Sequence, residues 1–162
     1  MHQDLVYFPF RPAERICCAW TAMVPINREN GCLSVWPGSH RLEELKEHGY
    51  PNWGDEGGVN KAYWGIKEMP KEMKLVHLEM DPGDTVFFHP LLYHGSGENK
   101  SQNYRKAISC HYGSAKCNYI SMKGKFQESL ANEIVDYAKK SLKMGEINYE
   151  DIWRFKVKLV SG

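Results

Sequence analysis

Residues 16–23 constrain this chain more than any other stretch. Ile16, Cys18, Trp20 and Ala22 are apolar or small on one parity, and Cys17, Ala19 and Met23 on the other. A strand that is apolar on both parities needs cover on both faces, as in the inner sheet of a sandwich. The run is also far shorter than the roughly 20 apolar residues a membrane-spanning helix requires.

The rest of the pattern agrees with a mainly β chain. Residues 5–9 are apolar and aromatic, and with 15–24 they read as strands around the turn-forming Arg11-Pro12-Ala13. Asn30-Gly31 is the strongest short hairpin signal, since a type I′ turn needs positive φ, and it leads into a strand over 32–36 that Pro37-Gly38 stops. Residues 74–80 alternate with Val76, Leu78 and Met80 on one face; Pro82-Gly83-Asp84 turns the chain into a strand over 85–89, and 104–112 and 119–122 continue the pattern. Short strands at close spacing predict a sandwich or barrel. Residues 49–70 mix Gly, Pro and charges with Tyr50, Trp53, Tyr63 and Trp64, and read as a long loop with aromatic anchors. One helix is predicted from Phe126, Leu130, Ile134, Ala138 and Leu142, with Gly145 as its stop, packed on the outside of a sheet.

With 162 residues the chain fits a single domain over 1–162. Lys and Arg number 21 against 20 Asp and Glu, and no lobe is strongly basic, which argues against nucleic acid as the main partner. Five cysteines without CxxC spacing suit neither a disulfide scaffold nor a zinc ribbon, and read as small buried thiols in a reducing compartment. The start, Met1 followed by His2-Gln3-Asp4, has no apolar leader, and the end, Val160-Ser161-Gly162, is not a Ser-Lys-Leu signal.

Seven histidines direct the search for chemistry toward a metal. His2 and Asp4 form an His-x-Asp pair, and on a strand such residues point to one face about 7 Å apart. With a distant third ligand they would make a 2-His-1-carboxylate triad, which leaves coordination positions open. His77-x-Glu79 has the same spacing and is an equal rival. For the third ligand the candidates are His89, His94 and His111. His94 stands where an apolar strand end meets Gly95-Ser96-Gly97, and the missing side chains there would admit a small ligand. Arg105 follows across the Gly- and Asn-rich residues 95–103, which read as a hairpin returning it beside His94. Its guanidinium could grip a carboxylate through two parallel hydrogen bonds. Cys110 and His111 are sequence neighbours on a strand and face opposite ways, so they make no thiol–imidazole dyad.

Several segments, in order, resemble the phytanoyl-CoA dioxygenase family. They are His2-Gln3-Asp4 with Tyr7-Phe8-Pro9-Phe10-Arg11-Pro12; Cys18-Ala19-Trp20-Thr21-Ala22-Met23; Asn30-Gly31-Cys32-Leu33 with Pro37-Gly38-Ser39-His40; Gly83-Asp84-Thr85-Val86-Phe87-Phe88-His89-Pro90; and His94-Gly95-Ser96-Gly97 with Arg105-Lys106-Ala107-Ile108-Ser109-Cys110-His111. The resemblance implies a double-stranded β-helix, a jelly roll, with one C-terminal helix. It implies that His2, Asp4 and His94 bind Fe(II), that His77 and Glu79 are ordinary strand residues, and that Arg105, helped by Ser96, binds the C5 carboxylate of 2-oxoglutarate. Gln3 and Trp20 match positions lining the cosubstrate pocket. The implied reaction hydroxylates carbon 2 of a branched acyl-CoA such as phytanoyl-CoA, in fatty acid α-oxidation, with O2 as cosubstrate and ascorbate as reductant. The implied location is the peroxisome; without a targeting signal the cytosol is the other. Family members carry a long segment ahead of His-x-Asp, where this sequence has Met1 alone. The expectation is therefore an N-terminally truncated oxygenase domain, with an inactive jelly-roll binding module as the alternative.

Overall fold

The computed structural model describes residues 1–50 and 64–160. The strands among the described residues are β1 (Phe10–Arg11), β2 (Ile16–Ala22), β3 (Leu33–Val35), β4 (His48–Gly49), β5 (Gly65–Ile66), β6 (Val76–Leu78), β7 (Thr85–Phe88), β8 (His94–Ser96), β9 (Ala107–Gly113) and β10 (Asn118–Tyr119). The helices are α1 (Glu128–Ser141) and α2 (Tyr149–Lys156). Residues 1–118 and 119–162 form two compact units.

In the first unit β2 is the central strand of an antiparallel sheet ordered β7-β2-β9, and β3 is the central strand of a second ordered β6-β3-β8. The parity argument for residues 16–23 holds on one side. Cys18, Trp20 and Ala22 of β2 join Phe88 of β7 and Leu33 and Val35 of β3 in one buried cluster, so both sheets contribute to a common core. The other parity differs: Phe87 is 66% and Ile108 50% exposed on the strands flanking Ala19 and Thr21. Ala19 itself is buried at the centre of that face, between its exposed neighbours.

Local chemistry alters several expectations. Residues 4–7 form a 3-10 turn rather than a strand, closed by Val6 N–H to Gln3 O at 3.1 Å and Phe8 N–H to Leu5 O at 3.1 Å. The Asn30-Gly31 turn is not type I′. Gly31 has φ +85° while Asn30 is not left-handed, because Asn27 and Asn30 exchange side-chain bonds with each other's backbone N–H at 3.0 and 2.9 Å and widen the turn. Residues 95–103 are not a hairpin either, since β8 pairs with β3 and β9 with β2. This stretch carries the chain from one sheet to the other. The ends of the 49–70 loop are β4 and β5, paired through His48–Ile66 and Gly49–Gly65, and the buried Trp64 meets Tyr50 edge-on at 5.7 Å; residues 51–63, with Trp53 and Tyr63, lie outside the described residues.

The second unit holds two helices where one was expected. α1 ends at Ser141, before Gly145, and Lys143 takes the left-handed φ of 52° just beyond it. α2 starts at a capping box in which Asn148 accepts from Asp151 N–H at 2.9 Å and Asp151 accepts from Asn148 N–H at 3.3 Å. Ala131 and Ala138 of α1 pack with Tyr149 and Ile152 of α2 around Met122. No helix among the described residues is long and apolar enough to cross a membrane, and all five cysteines are unbridged.

Candidate metal centre

His2 and His94 meet through the backbone. They form an antiparallel bridge, with His2 N–H to His94 O at 2.8 Å and His94 N–H to His2 O at 3.1 Å. Ile66 N–H to Met1 O at 3.0 Å and Leu5 N–H to Pro90 O at 3.0 Å hold the segment on either side. The first residues are thus tied down, against the usual tendency of a terminus to fray.

Asp4 opens the 3-10 turn beneath this bridge, and its carboxylate is buried. Its Oδ1 lies 3.2 Å from His2 Nε2 and 3.4 Å from His94 Nε2, and one donor atom from each of the three residues falls within 4.8 Å of the others. Around a six-coordinate cation with ligands at about 2.1 Å, neighbouring ligand atoms stand about 3 Å apart. The three side chains could therefore hold a divalent ion on one face with little movement. The donor set, two imidazoles and one carboxylate oxygen, suits ferrous iron and leaves the other face open.

Protonation states favour the same use. His94 Nδ1 donates to Leu92 O at 2.9 Å, which turns Nε2 toward Asp4. Burial pulls the His2 pKa down, opposed by its hydrogen bond to Asp4, which favours the neutral ligand form. For Asp4, burial alone would push the pKa up, but hydrogen bonds from His111, His2 and His94 outweigh it and hold the carboxyl well below the usual carboxylate range.

A cavity of about 870 Å³ opens over this cluster, and its walls include Trp20, Ser96 and Arg105. Arg105 Nη1 donates to Gly31 O at 2.7 Å, and the guanidinium stands 5.6 Å from the centre of the Trp20 ring. The turn at Gly31 thereby aims a cation into the cavity. A β-carbon at Gly31 would lie 2.7 Å from Gly97 O, so only glycine fits that left-handed position.

Gln3 corrects an expectation. It is fully buried and does not line the cavity. Its side chain donates to Glu44 O at 2.8 Å and Leu91 O at 3.0 Å and accepts from Lys46 N–H at 2.9 Å. Standing between two residues that face the cavity, it necessarily points the other way. His77 bonds Ser34 Oγ at 2.8 Å and Glu79 accepts from Arg28 N–H at 3.3 Å; among the described residues they join no metal-binding group. His89 accepts from Leu91 N–H at 3.2 Å and stacks near His40. His111, one of the three candidates for the third ligand, reaches the site through the carboxylate instead, with Nε2 3.0 Å from Asp4 Oδ2. His48 was not among the expected residues; its Nε2 accepts Gln3 N–H at 3.0 Å.

Residues 1–107 match the family model for phytanoyl-CoA dioxygenase. The chain belongs to the phytanoyl-CoA dioxygenase family. Along its whole length it is 56% identical, over 163 residues, to the peroxisomal phytanoyl-CoA dioxygenase of Rattus norvegicus, of which it covers 47%. It is 54% identical over 170 residues to the probable phytanoyl-CoA dioxygenase of Caenorhabditis elegans, covering 54% of that protein. The chain thus spans about half the length of the curated relatives it matches. Among solved structures it is similar to the non-heme alpha ketoglutarate dependent epimerase SnoN, in a complex with Fe3+, alpha ketoglutarate and nogalamycin RO, with a TM-score of 0.56 and 31% identity over 78% of this chain and 46% of that one. Membership in the dioxygenase family and the mostly β architecture agree with a non-haem oxygenase scaffold.

Proposed function

We propose that this chain carries the metal-binding part of an Fe(II)- and 2-oxoglutarate-dependent dioxygenase that hydroxylates carbon 2 of a branched acyl-CoA such as phytanoyl-CoA. In this reading residues 1–162 belong to one oxygenase domain with a double-stranded β-helix core. Ferrous iron bound with 2-oxoglutarate supplies the oxidising chemistry: one oxygen atom of O2 enters a C–H bond, the other enters succinate, and carbon dioxide leaves. His2, Asp4 and His94 hold the iron. The observation that carries the proposal is their convergence within 4.8 Å beneath a cavity that also contains Arg105.

The chain's own residues contribute orientation and charge. Arg105 pairs with the distal carboxylate of 2-oxoglutarate, anchored from behind by its bond to Gly31 O at 2.7 Å. In a partly dry cavity that carboxylate would otherwise be poorly solvated. Ser96 adds a hydroxyl on the same wall and Trp20 an apolar face beneath the guanidinium. The buried Phe88, 4.7 Å from the His94 ring, limits water at the metal side. Ascorbate is the expected reductant, and the peroxisome, named for the mammalian relatives, the expected location.

The purified chain, supplied with Fe(II), ascorbate, 2-oxoglutarate, O2 and phytanoyl-CoA, should release succinate and 2-hydroxyphytanoyl-CoA, and His94→Ala should abolish both. Equal succinate release by wild type and His94→Ala would overturn the proposal in favour of a non-catalytic jelly-roll module.

A further inference from the structure

We infer that His111 is a positioning residue that holds the outer oxygen of Asp4 and so keeps this carboxylate a one-oxygen ligand; the inference rests on the triad proposed above. The Asp4 carboxylate is divided between two environments. Oδ1 faces the His2 and His94 imidazoles at 3.2 and 3.4 Å, while Oδ2 lies 3.0 Å from His111 Nε2. His111 belongs to a second group, with Asp4 and Cys18, and not to the group of His2, Asp4 and His94.

Two features of the fold hold this part-exposed imidazole beside Asp4. His111 on β9 is the register partner of Cys18 on β2, so its side chain emerges on the face that also carries Cys18 and Trp20. Phe8 packs edge-on against the ring, with centroids 4.9 Å apart and planes at 62°. The Cys18 Sγ lies in the same cluster, within 4.8 Å of donor atoms of Asp4 and His111. A free carboxylate can turn about its bond to the β-carbon and chelate a metal through both oxygens. With Oδ2 engaged by His111, only Oδ1 is directed at the metal position. Three protein donors then occupy one face, and the opposite face retains room for a two-point cosubstrate and O2.

The test uses Co(II) as the probe, bound by the 162-residue chain without oxygen and followed by tryptophan quenching and by the visible ligand-field spectrum. Wild type should bind and His94→Ala should not. His111→Leu should weaken Co(II) binding by about 10- to 100-fold and shift the visible bands, the usual scale for an outer partner of a ligand. His111→Gln can offer an amide N–H to the same oxygen, and should return to within about threefold of wild type with a wild-type spectrum. Should His111→Leu fail to fold, His111→Ala carries the same expectation.

Unchanged affinity and spectrum in His111→Leu would overturn the inference, as would failure of folded His111→Gln to recover. Failure of the triad itself reads differently: wild type would not bind Co(II), or His94→Ala would bind it equally well.

Discussion

Acid should weaken the fold through His48, and the sign follows from its two partners. The ring is 2% exposed. Nδ1 donates to Lys46 O at 2.8 Å and Nε2 accepts the Gln3 backbone N–H at 3.0 Å. A carbonyl can only accept and an amide N–H can only donate, so the folded ring is neutral with its proton on Nδ1. Burial, opposed by the Lys46 hydrogen bond and aided by nearby His2, brings the pKa from 6.5 down to about 4. A protonated ring would set a donor against a donor. The unfolded chain therefore binds a proton in this window that the folded chain refuses. The contribution is complete above pH 6.5 and is lost as pH falls through about 4. The gap, 6.5 minus about 4, is about 2.5 units and corresponds to about 3 kcal/mol, with a slope near 1.4 kcal/mol per pH unit. Urea unfolding of wild type and His48→Gln should be followed from about pH 7 to about pH 4, since glutamine does not titrate and other groups cancel in the difference. The wild type's advantage should shrink by about 3 kcal/mol across that range. A difference independent of pH would refute the argument.

Two further perturbations address the cosubstrate wall. Arg105→Lys loses the paired donors and the reach to Gly31 O, and should raise KM for 2-oxoglutarate by at least about tenfold in the succinate assay while the melting temperature changes little. Gly31→Ala forces an L side chain into φ +85° with its β-carbon 2.7 Å from Gly97 O. The backbone term alone costs about 1–2 kcal/mol, so urea unfolding should register at least that loss. Because Gly31 O anchors Arg105, 2-oxoglutarate affinity by calorimetry should fall too.

How much of the site was legible depended on periodicity. His2 and Asp4 fall two apart and bring donor atoms within 4.8 Å of each other and of His94, although Asp4 stands on a 3-10 turn rather than a strand. The same rule places Gln3 on the opposite side, where its amide binds the backbone, and applied strictly it would have kept Gln3 off the cavity wall. Arg105 and His111 share parity with Ala107 and Ser109, and that alternation was the available signal for His111. The second helix carries a local mark, Asn148 three residues before Asp151, but only Tyr149 and Ile152 of α2 are buried, too few to give an apolar periodicity. His48 left no local trace. Its role comes from a partner 45 positions away, and no pattern of spacing encodes such a pairing.

The crossover between the sheets explains how a candidate metal site can be assembled from such distant residues. Had residues 95–103 formed a hairpin, β8 and β9 would be neighbours in one sheet, and Arg105 would stand beside His94. Instead β8 lies in the sheet of β3, and β9 in the sheet of β2. His94 therefore faces the shared core from one sheet, while Trp20 and His111 face it from the other. Asp4 meets both, touching His94 through Oδ1 and His111 through Oδ2. The bridge between His2 and His94 sets the register of this meeting. A slip of one residue there would turn the His94 side chain to the other face of β8, leaving a buried carboxylate with one fewer imidazole. Geometry at the site is thus a consequence of strand pairing, with the His2–His94 bridge flanked by the Met1–Ile66 and Leu5–Pro90 bonds.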